Sequence, residues 1–119
     1  MRFVPSGLTP EKLEGIQLEG LKWTVRHAYE NCPTYKKKFE DAGIGPDGIR
    51  CLEDLRKLPF TDKEDLAEGY PFPLRSVPFD RIVRVHASSG TTGKRKILCY
   101  TAGDVETWAY LFARCFEVA

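Results

Sequence analysis

The residues best equipped for chemistry lie together in His86-Ala87-Ser88-Ser89-Gly90-Thr91-Thr92-Gly93-Lys94. Ser88, Ser89, Thr91 and Thr92 bring hydroxyl donors, and Lys94 brings a cation. Gly90 and Gly93 admit backbone conformations closed to other residues, so successive N–H groups can turn inward and form an anion-binding nest. Hydroxyls, inward amides and a lysine on one turn suit the pyrophosphate portion of a nucleoside triphosphate. The string is not a Walker A loop. That motif needs four residues between its first glycine and the Gly-Lys pair, then Ser or Thr. Here Thr91 and Thr92 alone separate Gly90 from Gly93, and Arg95 follows Lys94. A flexible hairpin turn rich in small residues is the competing reading. The ordered string, with strand patterns on both sides, favours phosphate binding.

Those strand patterns position the loop. Arg81-Ile82-Val83-Arg84-Val85-His86-Ala87 is β-branched and reads as a strand, and so does Lys96-Ile97-Leu98-Cys99-Tyr100. Thr101 and Asp104 then offer a helix cap. Beyond it Val105, Trp108, Phe112, Cys115 and Phe116 trace one apolar helical face, with Trp108 expected in the core. No Gly, Pro or polar tail stops this helix before Ala119, so the chain reads as cut inside an α/β domain.

The preceding part reads as helical. Thr9 caps a first helix with Pro10 at its first position, and Leu13, Ile16, Leu21, Val25 and Ala28 recur at mostly helical intervals through about Tyr29. Asn31 and Pro33 stop it. A short helix is expected near Tyr35–Ala42, ended by Gly43, with Lys36, Lys37 and Lys38 on a solvated face. Residues 43–48 form a loop, and residues 51–58 make one or two helical turns before Pro59. Thr61 and Glu64 have the spacing of a capping box for a helix ending at Gly69. Tyr70–Phe79, with Pro71 and Pro73, is expected to run extended and partly buried. Tyr70, Phe72 and Phe79 are expected to pack the helical region against the sheet.

Bulk composition narrows the function classes. The chain is 42% hydrophobic and 29% charged, which is globular. With 18 basic and 17 acidic residues the formal net charge is +1, giving no global field for nucleic acid or an anionic membrane. No apolar run approaches the ~18 residues of a membrane-spanning helix, and the N-terminus lacks a signal-peptide pattern. A cytoplasmic location is expected. Cys32, Cys51, Cys99 and Cys115 are widely spaced and read as free thiols. Neither His27 nor His86 stands at metal-ligand spacing from a cysteine pair.

The loop residues Ser88-Ser89-Gly90-Thr91-Thr92-Gly93-Lys94 resemble the Ser/Thr/Gly phosphate loop of adenylate-forming enzymes. The phenylacetate–CoA ligase branch is the nearest match. His86-Ala87 before the loop, and Tyr100-Thr101, Asp104 and Trp108 after it, are similar to that branch. So are residues 29–35 with Phe39, and Leu58-Pro59-Phe60-Thr61-Asp62-Lys63-Glu64-Asp65-Leu66. Arg95 stands where the family often has Pro.

The resemblance implies an α/β architecture. A helical N-terminal region over 1–80 precedes a β-strand–phosphate loop–β-strand–helix unit over 81–119, the start of the large N-terminal domain of an adenylate-forming enzyme. It implies ATP and Mg²⁺, with coenzyme A as co-substrate and an aryl or small organic acid as the activated group. Ser88, Ser89, Gly90, Thr91, Thr92, Gly93 and Lys94 would hold the β- and γ-phosphates. The family's adenine motif, ribose-binding aspartate and C-terminal catalytic lysine all lie beyond this loop, so no catalytic residue is expected within the chain. A stand-alone nucleotide-binding or partner-docking module is the alternative. An exposed apolar face would also permit oligomers.

Overall fold

The computed structural model describes residues 7–68, 70–89, 93 and 95–118, the last by its backbone alone. Helix α1 spans Pro10–Asn31. Thr9 caps it as expected, its hydroxyl accepting from the Lys12 N–H at 3.4 Å. Cys32, in extended conformation, breaks the helix, and Pro33 starts α2, Pro33–Asp41. Gly43 ends α2 with φ +70, a left-handed conformation that glycine adopts without the Cβ penalty.

The two helices enclose the buried core. Val25 on α1 and Phe39 on α2 meet Ile44 and Ile49 from the following loop, and Leu18, Leu21, Ala28, Tyr29, Tyr35 and Leu58 pack around them. The helical spacing of these residues on α1 sets which of its faces is covered.

Residues Leu52–Lys57 form a 3-10 turn. Asp54 lies buried beneath it and accepts from the backbone N–H groups of Arg50 at 2.7 Å and Cys51 at 3.1 Å. Helix α3 is short, Lys63–Ala67. Its cap is Asp62 rather than Thr61, which shifts the expected box by one residue. The Asp62 carboxylate accepts from the Glu64 and Asp65 N–H groups at 3.0 and 3.1 Å, and Asp65 accepts in return from Asp62 N–H at 2.9 Å. Thr61 is engaged elsewhere, 2.7 Å from the Tyr35 hydroxyl. Asp65 also pairs with Lys38, so that lysine is half-buried and does not belong to a solvated run.

The segment Tyr70–Phe79 departs from the extended path expected of it. It winds through turns at 70–71 and 73–74. The carbonyl of Pro73 accepts from the Thr34 hydroxyl at 3.0 Å and from the Cys32 thiol at 3.7 Å. Ser76 lies 3.1 Å from Nε2 of His27. These bonds fasten the connection to α1 and α2, because a buried backbone group needs a partner wherever no ladder supplies one.

A 3-10 turn at Phe79–Arg81 leads into β1, Ile82–Ala87, which pairs antiparallel with β2, Ile97–Thr101. The register sets Val85 opposite Cys99, His86 opposite Leu98 and Ala87 opposite Ile97, with an irregularity between Ile82 and Arg84. Helix α4 follows at once, Ala102–Val118. Thr101 and Asp104 cap it reciprocally: Thr101 N–H and hydroxyl both donate to Oδ2 of Asp104 at 2.8 Å, and Asp104 N–H donates back at 3.2 Å.

Candidate phosphate-loop site

The hairpin has two faces because side chains alternate along a strand. One carries Ile97, Cys99 and Thr101, which line a cleft of about 420 Å³ with Ile82, Phe72, Leu74 and the stacked Trp23 and His27 rings of α1. Burial raises the thiol pKa of Cys99, while Arg75 opposes that shift. The other face carries Arg84 and His86 from β1 with Leu98 and Tyr100 from β2, and Trp108 of α4 approaches it.

Strand pairing continues one step past Ala87 toward the loop. Ser88 N–H donates to the Lys96 carbonyl at 2.9 Å, and Lys96 N–H donates to Oγ of Ser88 at 3.0 Å. Ser88 thus closes the mouth of the loop and still keeps its own hydroxyl hydrogen to donate. Ser89 is exposed beside it. Gly93 has φ +112, where a side chain would be strained, although a Cβ there would meet nothing within 4 Å. The backbone, and not crowding, requires glycine at that position. Gly90, Thr91, Thr92 and Lys94 lie outside the described residues. Arg95 and Lys96, both exposed, put two more cations at the exit of the loop.

The sequence reading missed an aromatic cluster at the base of this hairpin. The His86 ring lies 5.0 Å from that of Tyr100 and 5.6 Å from that of Trp108, and the Tyr100 and Trp108 rings are 6.0 Å apart. Within this chain Trp108 is 47% exposed, and its contacts are with His86 and Tyr100 rather than with the buried residues of the helical region. Strand parity was the available signal, because Arg84 opposite Tyr100 and His86 opposite Leu98 share one face. Tyr70 and Phe79, expected to pack the helices against the sheet, are 45% and 56% exposed, while Phe72 meets Phe79 edge-on at 5.2 Å.

Comparison with known proteins places this geometry. The phenylacetate-coenzyme A ligase of Escherichia coli (strain K12) is 50% identical over 109 residues, 92% of this chain and 25% of that protein. The phenylacetate-coenzyme A ligase of Aromatoleum evansii is 53% identical over 109 residues, with the same coverage. Over nearly its whole length the chain is similar to phenylacetate–coenzyme A ligases. It spans about a quarter of the length of these ligases. No family profile matches it.

Solved structures agree with the family on the fold. A 2-hydroxyisobutyryl-CoA ligase, in complex with 2-HIB-AMP and CoA in the thioesterification state, matches 87% of this chain with a TM-score of 0.74 at 28% identity. That match takes in 25% of the solved chain. An open conformation of the same ligase, in complex with 2-HIB-AMP and CoA, matches with a TM-score of 0.71 at 25% identity. All four cysteines are free, in keeping with the thiols expected of them. No helix among the described residues is long and apolar enough to cross a membrane.

Proposed function

We propose that this chain is the N-terminal part of an AMP-forming acid–CoA ligase and supplies its ATP phosphate loop, Ser88-Ser89-Gly90-Thr91-Thr92-Gly93-Lys94. One observation carries the reading: a Ser/Thr/Gly/Lys string lies in the sequence between two strands that pair antiparallel, in a chain half identical to phenylacetate-coenzyme A ligases over the matched residues. In such a ligase a carboxylate attacks the α-phosphorus of ATP, forming an acyl-adenylate and releasing pyrophosphate. The thiol of coenzyme A then displaces AMP to give the thioester. An aryl acid of the phenylacetate class is the substrate the relatives suggest.

The loop's task is electrostatic. Charge accumulates on the departing pyrophosphate, and fixed donors aimed at it lower the barrier without reorganising. The hydroxyls of Ser88, Ser89, Thr91 and Thr92, the backbone N–H groups that Gly90 and Gly93 free to turn toward an anion, and the Lys94 ammonium are residue types suited to that role. Arg95, where the family often has Pro, adds a further cation at the loop's exit. Among the described residues no three His, Cys, Asp or Glu side chains converge to hold an ion.

A chimera tests the assignment. Residues 8–118 of this chain replace the matching segment of the Escherichia coli ligase, with folding checked by circular dichroism and gel filtration. The expected result is phenylacetate-dependent ATP–pyrophosphate exchange. Lys94→Ala should lower kcat/KM for ATP by about 10²–10³-fold, the scale of losing a key donor to developing charge. A folded chimera without exchange, or one indifferent to Lys94→Ala, overturns the reading.

A further inference from the structure

We propose that His86 is a positioning residue for the loop, its imidazole clamped against Tyr100 and Trp108 so that the hairpin is held at its Ser88–Lys96 end. The structural half stands alone; the consequence for phosphate binding rests on the function proposed above.

A two-stranded hairpin is marginal by itself, and its ends fray unless side chains hold them. Among the described residues there is little else at the loop end to do so. The last backbone pairing among them is Ser88 with Lys96, and both residues are exposed. Ala87 offers one methyl on the opposite face, and Leu98, across from His86, is 44% exposed. His86 is half-buried, whereas the flanking Val85 and Ala87 are exposed. It is two residues from Ser88 and on the same strand face. Its ring meets Tyr100 at 5.0 Å and Trp108 edge-on at 5.6 Å, within the range where ring pairs attract beyond simple burial.

The clamp is anchored from the other side. The Thr101–Asp104 cap fixes how α4 leaves β2, and Trp108 stands one helical turn beyond Asp104 on the same side of the helix. Trp108 therefore arrives over His86 through a rigid corner. The register of β2, the cap and the loop base form one mechanical unit, with His86 as the contact that reaches the loop.

Amide exchange with solvent in the ¹⁵N-labelled chain tests the structural half. His86→Ala should speed exchange at Ser88 and Lys96 about tenfold, the scale expected when two ring contacts are lost. His86→Phe should return both rates to within about threefold of the original, because a ring of similar size refills the clamp. Amides of Val25 and Ala28 should not change in either variant. Trp108→Leu, which removes the opposite side of the clamp, should reproduce the His86→Ala pattern and serves if that variant does not fold. Unchanged rates at Ser88 and Lys96, or no rescue by phenylalanine, overturn the positioning role.

Inorganic pyrophosphate, followed by amide shifts at Gly93 and Lys94, tests the consequence. Wild-type binding weakened about fivefold or more by His86→Ala, and restored by His86→Phe, supports it. Undiminished binding in His86→Ala despite faster exchange refutes it. If pyrophosphate shifts nothing in the wild type while the exchange pattern appears, the clamp stands and the phosphate reading fails.

Discussion

The helical region and the hairpin with α4 solve the same problem differently. In the first, Val25, Phe39, Ile44 and Ile49 are 1% to 8% exposed, and even the acidic Asp54 and Asp65 are buried, each holding a lysine and a backbone N–H. In the second, no described residue of β1, β2 or α4 is buried, and Trp108, Phe112 and Phe116 stand 47%, 60% and 72% exposed. One region holds itself by burial. Among the described residues of this chain, the other is held by its ladder, its Thr101–Asp104 cap and a ring cluster. Hydrophobic content therefore does not measure local stability; what counts is whether the apolar face has a neighbour.

The contrast can be broken most sharply in the core. Phe39→Ala should destabilise the helical region by about 3–5 kcal/mol, the usual scale for emptying a buried aromatic site. Urea denaturation followed by helical circular dichroism measures it, and a loss below about 1 kcal/mol would mean that the core tolerates collapse there.

A smaller effect is expected from acid. Lys57, and then the backbone N–H groups of Arg50 and Cys51, hold the carboxyl of Asp54 well below the usual aspartate range. Lys38, and then the Asp62 N–H, lower that of Asp65. Both pKa values are depressed in the folded chain. Their contribution is thus complete above the unfolded value of about 4 and is withdrawn as pH falls toward the folded values. Urea midpoints should fall below about pH 4, and Asp54→Asn with Asp65→Asn should flatten that acid limb while lowering stability at neutral pH. An unaltered limb in the double variant would separate these pairs from acid unfolding.

The smallest effect belongs to the exposed face of α4. Phe112→Ser should change stability by no more than about 0.5 kcal/mol, because the ring's chief contact is Phe116 at 5.3 Å and both are open to solvent. A loss comparable to that of Phe39→Ala would show that α4 is covered after all, and would remove the contrast between the regions.

Much of this arrangement was readable from residue types whose effect is local. Thr9 and Pro10 start α1, Gly43 ends α2, and Thr101 with Asp104 starts α4, because capping needs only neighbours in the chain. The strand-forming residues of 81–87 and 96–100 located both strands within one residue. Competition between nearby groups was harder to read. Thr61 and Asp62 are both good caps, and the distant Tyr35 hydroxyl, by engaging Thr61, leaves the cap to Asp62. Lys38 looked like one of three solvated lysines until Asp65, far along the chain, took it inward.

For the candidate site the division is similar. The sequence by itself determined the loop's composition, its glycines and the strands that flank it, since hydroxyl count, backbone freedom and strand propensity are properties of the residues themselves. Only the tertiary structure decided that Ser88 bonds Lys96 across the loop mouth, and that His86, Tyr100 and Trp108 meet beneath it. Those contacts depend on strand register and on the angle at which α4 leaves β2. Both are set by the packing of whole elements, which a pattern of residue types along the chain does not encode.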